Sequence, residues 1–238
     1  MKIIISPAKR FNQIKKYETE DLLFKRESEI LVEEIRKLSL SEIANMFKLN
    51  DSLAIKVYYD YKEFDFDNLN NPAIFSYDGL VYKQFSEKDF RDLNYLNEHV
   101  RIISALYGLL KPFTGIRDYR LDMGVKFIDM YKFWSDKIYE SLYKNEDTII
   151  NLASNEYSKL ISKYVKDNQN FITINFKDNR NGKYRSVVAW TKEMRGKMLK
   201  YLIQNKVDDI SKIKEFSEEG YKYNPYLSKK NDITFTRG

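Results

Sequence analysis

The chain reads as an α/β protein, a single domain with a mixed sheet surrounded by helices, and three observations predict it. Apolar runs that fit buried strands, at Lys2–Ser6, Val100–Ser104 and Ile149–Leu152, alternate with stretches of helical periodicity. Asn181-Gly182 between two alternating segments marks a hairpin, which brings antiparallel pairing into the sheet. No repeat, low-complexity block or linker interrupts the 238 residues, so 1–238 is read as one domain.

In order, Lys2–Ser6 is a strand stopped by Pro7, with Ala8-Lys9-Arg10 leaving its carboxyl end. From Glu20 to Lys37 the apolar spacing predicts an amphipathic helix. Ser39 or Ser41 caps a second helix, with Glu42 in its first turn, to about Leu49. Asn50 or Asp51 caps a third to about Tyr61. Segment 38–61 thus has the outline of a helix-hairpin-helix, although no glycine stands in its turn, and a plain surface helix pair has the same pattern. Pro72 opens an irregular stretch with a turn at Asp78-Gly79, and Ser86 caps a helix over Glu87–Asn97. The strand Val100–Ser104 exits past Gly108 and Pro112 into a polar loop, Asp118 to Gly124. Phe133–Tyr143 predicts a helix, Ile149–Leu152 a strand and Glu156–Val165 a helix. Phe171–Phe176 and Tyr184–Trp190 form the hairpin, and Thr191 caps a helix to about Gln204. Ile233-Thr234-Phe235 is expected as a final edge strand.

Composition excludes several chemistries. Cysteine is absent, which removes disulfides, thiolate metal sites and any thiol nucleophile or redox sensor. Histidine occurs once, at His99, so a multi-histidine metal site is excluded and His99 is read as structural. No cofactor is expected, because Gly-rich phosphate loops, Rossmann fingerprints, nucleophile elbows and zincin motifs are missing. No apolar run approaches the roughly 20 residues that span a bilayer, so no membrane partner is expected. Met1–Pro7 reads as a strand rather than a signal peptide, and a cytoplasmic location is the expectation.

Charge is unevenly spread. The formal net charge is +6 with a pI near 9.1, which favours an anionic partner. Residues 151–200 hold 11 Lys and Arg against 4 Asp and Glu, whereas residues 51–100 hold 5 against 10. In the positive part a strand empties into Asn151-Leu152-Ala153-Ser154-Asn155-Glu156-Tyr157 where a helix begins, a place where α/β proteins present side chains to ligands. Asn151, Ser154, Asn155 and Tyr157 are the candidate pocket residues. Lys192 and Arg195, three apart, are read as lying in the first turns of a helix, where an anion offsets their clash with the dipole. Asp122 and Glu156 are the candidate catalytic carboxylates.

Several motifs, taken together, carry a resemblance. They are Ile5-Ser6-Pro7-Ala8-Lys9, Leu106-Tyr107-Gly108-Leu109-Leu110-Lys111-Pro112, Tyr119-Arg120-Leu121-Asp122-Met123-Gly124, Phe133-Trp134, Asn151 to Tyr157, Asn181-Gly182-Lys183, Arg195-Gly196 and Phe216 to Tyr221. In this order they resemble the YaaA family of peroxide-stress proteins, collinearly from Met1 to about Tyr221. The resemblance implies a YaaA-like fold in a bacterial protein that protects against hydrogen peroxide by limiting free iron and damage to DNA. It also implies binding of double-stranded DNA through a helix-hairpin-helix and a positively charged cleft. Lys9, Arg120, Lys183, Lys192 and Arg195 would then be cleft positives, and Leu38–Tyr61 the hairpin region. At position 122, where the family has Glu or Asp, this chain has Asp.

Two functional readings follow. As a DNA-binding protein, the chain neutralises phosphates with Lys and Arg and binds in a salt-dependent way. As an enzyme on a nucleobase or nucleotide, of glycosidase type, it uses Asp122 or Glu156 on a small nucleotide-like ligand and the amides to read the base.

Overall fold

The computed structural model describes residues 1–12 and 17–238. Among them an eight-stranded mixed sheet comprises β1 (Lys2–Ile5), β2 (Val100–Ser104), β3 (Gly108–Leu110), β4 (Thr148–Asn151), β5 (Asn170–Arg180), β6 (Lys183–Arg185), β7 (Lys222–Tyr223) and β8 (Asp232–Arg237). The order across it is β7-β8-β5-β4-β1-β2-β3, with β6 folded back on β5. β1 is parallel to both its neighbours: Ile4 lies level with Asn151 of β4 on one side and with Arg101 of β2 on the other. Ile3, Ile4 and Ile5 are buried, as expected of a strand covered on both faces. Each such side chain contributes about 1.5–3 kcal/mol relative to exposure.

From β1 the chain goes to β2 on one side, then crosses back to β4, β5 and β8 on the other. The sheet therefore has a switch point between β1 and β4, where connections leave in opposite directions and a crevice opens at the carboxyl ends.

The helices are α1 (Lys25–Arg36), α2 (Leu40–Phe47), α3 (Asp51–Lys62), α4 (Leu93–His99), α5 (Met130–Trp134), α6 (Lys137–Tyr143), α7 (Asn155–Ser162) and α8 (Val188–Gln204), with single turns at Ala73–Ser76 and Ile210–Ile213. Ser39 and Glu42 make a reciprocal capping box on α2, and Asn50 Oδ1 accepts the Leu53 N–H at 3.0 Å on α3. Between them Lys48 takes the left-handed conformation, with φ 53°, that a glycine usually supplies.

Several elements differ from the sequence reading. The helix expected from Glu20 starts at Lys25, because the Glu20 backbone is engaged with the loop after β3, donating to Phe113 O and accepting from Gly115 N. Ser86 caps only a 3₁₀ turn, Glu87–Asp89, and Asp92 then caps α4. The helix expected over Phe133–Tyr143 breaks at Ser135, which has φ 46°. The hairpin turn is at Asn181-Gly182, both residues with positive φ, but β5 runs on to Arg180 where a loop was expected. Its return strand ends at Arg185, and α8 begins at Val188, inside the segment expected to be extended. Thr191 is not a cap: its Oγ1 is buried without a partner among the described residues. The final strand is interior, parallel to β5 and covered by β7, rather than an edge. His99 has Nδ1 2.9 Å from Met1 O and its ring stacked on Tyr95.

Two constraints set the crevice walls. Tyr61 Oη of α3 donates to Arg120 O at 2.9 Å, while Tyr119 Oη lies 3.0 Å from Tyr77 Oη and 2.8 Å from Ser104 Oγ. These phenols pin the loop 117–122 against the sheet. On the other wall Gly196 lets α8 close onto the turn at Val81–Gln84, for an added Cβ would lie 2.1 Å from Val81 O. Gly196→Ala is expected to destabilise by about 1–3 kcal/mol through overpacking. Tyr61→Phe, which strips the Arg120 carbonyl of its donor, is expected to cost about 1–3 kcal/mol. Urea unfolding of each variant measures both.

Candidate anion-binding site

A cavity of about 360 Å³ opens at the switch point. Its floor is where β1 and β4 end. Ser6 Oγ accepts the Ser154 N–H at 2.8 Å and donates to Ser154 Oγ at 3.2 Å, so the two strand exits are stitched together. Ser154 precedes α7 but does not cap it with its side chain, because the hydroxyl is engaged with Ser6. From the other side Tyr82 Oη donates to Ser6 O at 2.8 Å.

One wall comes from a segment that the sequence reading treated only as a turn. Arg10–Phe11 pairs antiparallel with Tyr77–Asp78, and this brings Gly79, Leu80, Val81 and Tyr82 to the cavity. Arg10 Nη2 lies 3.3 Å from Asp78 Oδ2, and Lys83 Nζ lies 3.5 Å from Asp78 Oδ1. Ser6, Asp78 and Tyr82 were not singled out from sequence. A turn motif at Asp78-Gly79 says nothing of the two-residue ladder that folds it onto the first strand's exit.

The predicted residues divide plainly. Lys9, Arg120 and Asp122 line the cavity from two loops; Ser154, Glu156 and Tyr157 line it from the start of α7; Lys192 and Arg195 line it from α8. Asn151 does not. It is buried, donating to Thr173 Oγ1 at 3.2 Å and accepting the Ala153 N–H at 2.9 Å, so it fastens the end of β4 to β5. Asn155 is exposed at the start of α7 and Lys183 is exposed on the hairpin, and neither lines the cavity. Lys192 and Arg195 also fall beyond the first turn of α8, because that helix starts earlier than expected, so the dipole argument for them lapses.

The cavity's electrostatics are unbalanced. Lys9 Nζ is 2.7 Å from Asp122 Oδ2, so that carboxylate already has a cation. Arg120, Lys192 and Arg195 have no carboxylate at ion-pair distance among the described residues. The Nε atoms of Arg120 and Arg195 are both buried with no hydrogen-bond partner among those residues. Burial pushes the Arg195 pKa down from its ordinary value, and no neighbouring carboxylate counters it. Burying a cation without compensation is costly, and proteins keep such groups where a ligand completes them. The phenols facing them are poor anions: burial pushes Tyr119 up to about 12 and raises Tyr82 and Tyr157 well above the usual phenol range. Near neutral pH these hydroxyls stay protonated.

Such a cavity can hold an anion between two guanidiniums, with hydroxyls and two carboxylates available to the rest of the ligand. Among the described residues no group of three or more His, Cys, Asp or Glu is placed to hold a metal ion. No helix among them is long and apolar enough to cross a membrane.

Comparison with known proteins agrees along the whole chain. A UPF0246 protein of Clostridioides difficile (strain 630) is 38% identical over an alignment of 246 positions that covers all of both chains. A UPF0246 protein of Finegoldia magna is 39% identical over 245 positions, covering all of this chain and 98% of the relative. One from Francisella philomiragia is 37% identical over 255 positions, again covering both chains fully. The profile of the family described as peroxide stress protein YaaA matches residues 1–227, and the chain belongs to that family.

Proposed function

We propose that this peroxide-stress protein acts by binding double-stranded DNA, with the switch-point cavity and its rim as the surface that grips phosphate. The observation that carries the reading is the set of cations without a carboxylate partner among the described residues, Arg120 from a loop and Lys192 and Arg195 from α8, gathered at one cavity. Exposed Lys9, Arg10 and Lys192 at the rim suit backbone contacts, which position a protein on nucleic acid. The exposed hairpin adds Arg180, Lys183 and Arg185 to the same sign of charge. The helix pair α2–α3 is a second contact in this proposal. Its turn at Lys48–Asn50 offers a cation and the amino end of α3, as a helix-hairpin-helix does without its glycine. Protection from iron-driven damage is then exerted at the DNA.

The enzymatic reading on a nucleobase or nucleotide keeps Asp122 and Glu156 at the cavity but loses two of its amides, since Asn151 is committed to holding β4 and exposed Asn155 is not among the lining residues. What favours it is size: about 360 Å³ falls within the range of small-ligand pockets and far below that of a duplex.

Fluorescence anisotropy on duplex DNA across a salt series tests the binding reading. The slope of log affinity against log salt is expected at about −0.9 per phosphate contacted. Lys192→Ala is expected to weaken affinity and flatten that slope by about one phosphate. Asp122→Asn, which releases Lys9 from its carboxylate, is expected to tighten binding and steepen the slope. Salt-independent binding, or none at physiological ionic strength, would sink the reading. Chromatography of the recovered DNA decides the enzymatic alternative: released base or altered nucleotide that vanishes in Asp122→Asn or Glu156→Gln supports it.

A further inference from the structure

We propose that the switch-point cavity is a seat for a terminal phosphate monoester on one nucleotide, whether at the end of a DNA strand or on a nucleoside monophosphate, held between Arg120 and Arg195. The inference rests on the DNA-binding reading only for the polymeric source of that phosphate.

Charge is the first argument. An internal phosphodiester carries one negative charge, and its chain continues in two directions. A monoester carries about −1.5 to −2 near neutral pH and presents three terminal oxygens. The cavity offers the guanidiniums of half-buried Arg120 and Arg195, and Lys192, none with a carboxylate at ion-pair distance among the described residues, a match for the larger charge. Backbone diesters can be met by the exposed rim cations as well, whereas a doubly charged terminal group makes fuller use of Arg120 and Arg195 together.

Geometry is the second. The nitrogens left without partners are the Nε atoms, and Nε with one Nη forms the flat edge that grips phosphate through two parallel hydrogen bonds. Arg120, in the loop pinned by Tyr61 and Tyr119, and Arg195, on α8 beside Gly196, both line that space from different elements. Because the loop and the helix are both held from behind, the seat is formed before the ligand arrives.

The remaining lining sets what hangs from the phosphate. Asp122 and Glu156 repel a second phosphate but accept hydrogen bonds from sugar hydroxyls or a base amine, and the Tyr82, Tyr119 and Tyr157 rings line the same space. About 360 Å³ takes one nucleotide and not a strand running through. In this reading the protein distinguishes broken or unjoined strand ends, or the mononucleotides released from them, from intact backbone.

The test uses the full chain. Nicked duplexes of one sequence, with a phosphate or a hydroxyl at the 5′ or the 3′ side of the nick, are compared by anisotropy. Deoxynucleoside monophosphates and the matching deoxynucleosides are titrated calorimetrically. A terminal phosphate at one side is expected to tighten binding by about tenfold to a hundredfold, the worth of hydrogen bonds to a charged group. Arg120→Gln and Arg195→Gln are each expected to abolish that preference, and the unliganded Arg195→Gln is expected to melt no lower than the parent because a buried unpaired charge is gone. If the nicked duplexes bind alike and the monophosphates bind no better than the nucleosides, the seat is refuted, whatever the variants do. Salt-steep duplex binding with neither an end preference nor a preference for monophosphates over nucleosides leaves the DNA reading standing and overturns the seat. Monophosphate binding with no binding of DNA overturns the DNA reading and leaves the seat.

Discussion

The parallel pairing of β1 between β4 and β2 is the constraint on which the rest of the molecule depends. Ile3, Ile4 and Ile5 are buried, and every register across the sheet's centre is referred to them. Because β1 and β4 run the same way, the peptides that follow both emerge at one end. There Ser6 and Ser154 hydrogen-bond to each other although they lie far apart in the chain. The crevice between these exits is a consequence of connectivity: the chain turns one way from β1 to β2 and the other way from β4 to β5. Ligand chemistry can then be hung on whichever loops are drawn to that point.

Three devices draw them. The ladder of Arg10–Phe11 on Tyr77–Asp78 carries the Gly79–Tyr82 wall to the exit of β1. The phenols of Tyr61, Tyr77 and Tyr119 hold the loop that carries Arg120 and Asp122. Gly196 removes a side chain so that α8 can settle against Val81 and bring Arg195 with it. Their common result is to bring Arg120, Lys192 and Arg195 to one cavity with no carboxylate at ion-pair distance among the described residues.

The carboxylates are not equivalent within this field. Asp122 is satisfied by Lys9, whereas Glu156 sits exposed at the start of α7 with no cation at ion-pair distance among the described residues. Asp122 therefore restrains a rim cation, and Glu156 is the group with acceptor capacity to spare. Asn151, by contrast, belongs to the scaffold: it closes the end of β4 through Thr173 and Ala153. Its burial follows from β4 being a central strand, where a polar residue at the last position must find partners within the sheet.

Local sequence determined the elements whose signals are local. The buried runs of β1, β2 and β4, the cap pairs Ser39 or Ser41 and Asn50 or Asp51, of which Ser39 and Asn50 serve, and the Asn181-Gly182 turn were legible, because each depends on burial pattern or backbone preference over a few residues. Of the cleft positives that the family resemblance implied, Lys9, Arg120, Lys192 and Arg195 line one cavity, whereas Lys183 lies on the hairpin away from it. What only the tertiary structure decided was everything set by distant partners. Glu20 gave up helix for a bridge to the Thr114 segment, Ser135 broke one helix into two, and α8 began at Val188. Those outcomes turn on which backbone groups meet across the fold. The separation of Asn151 from the cavity and the placing of Asp78 and Tyr82 on it are of the same kind, since loops far apart in sequence converge only after the sheet has chosen its strand order.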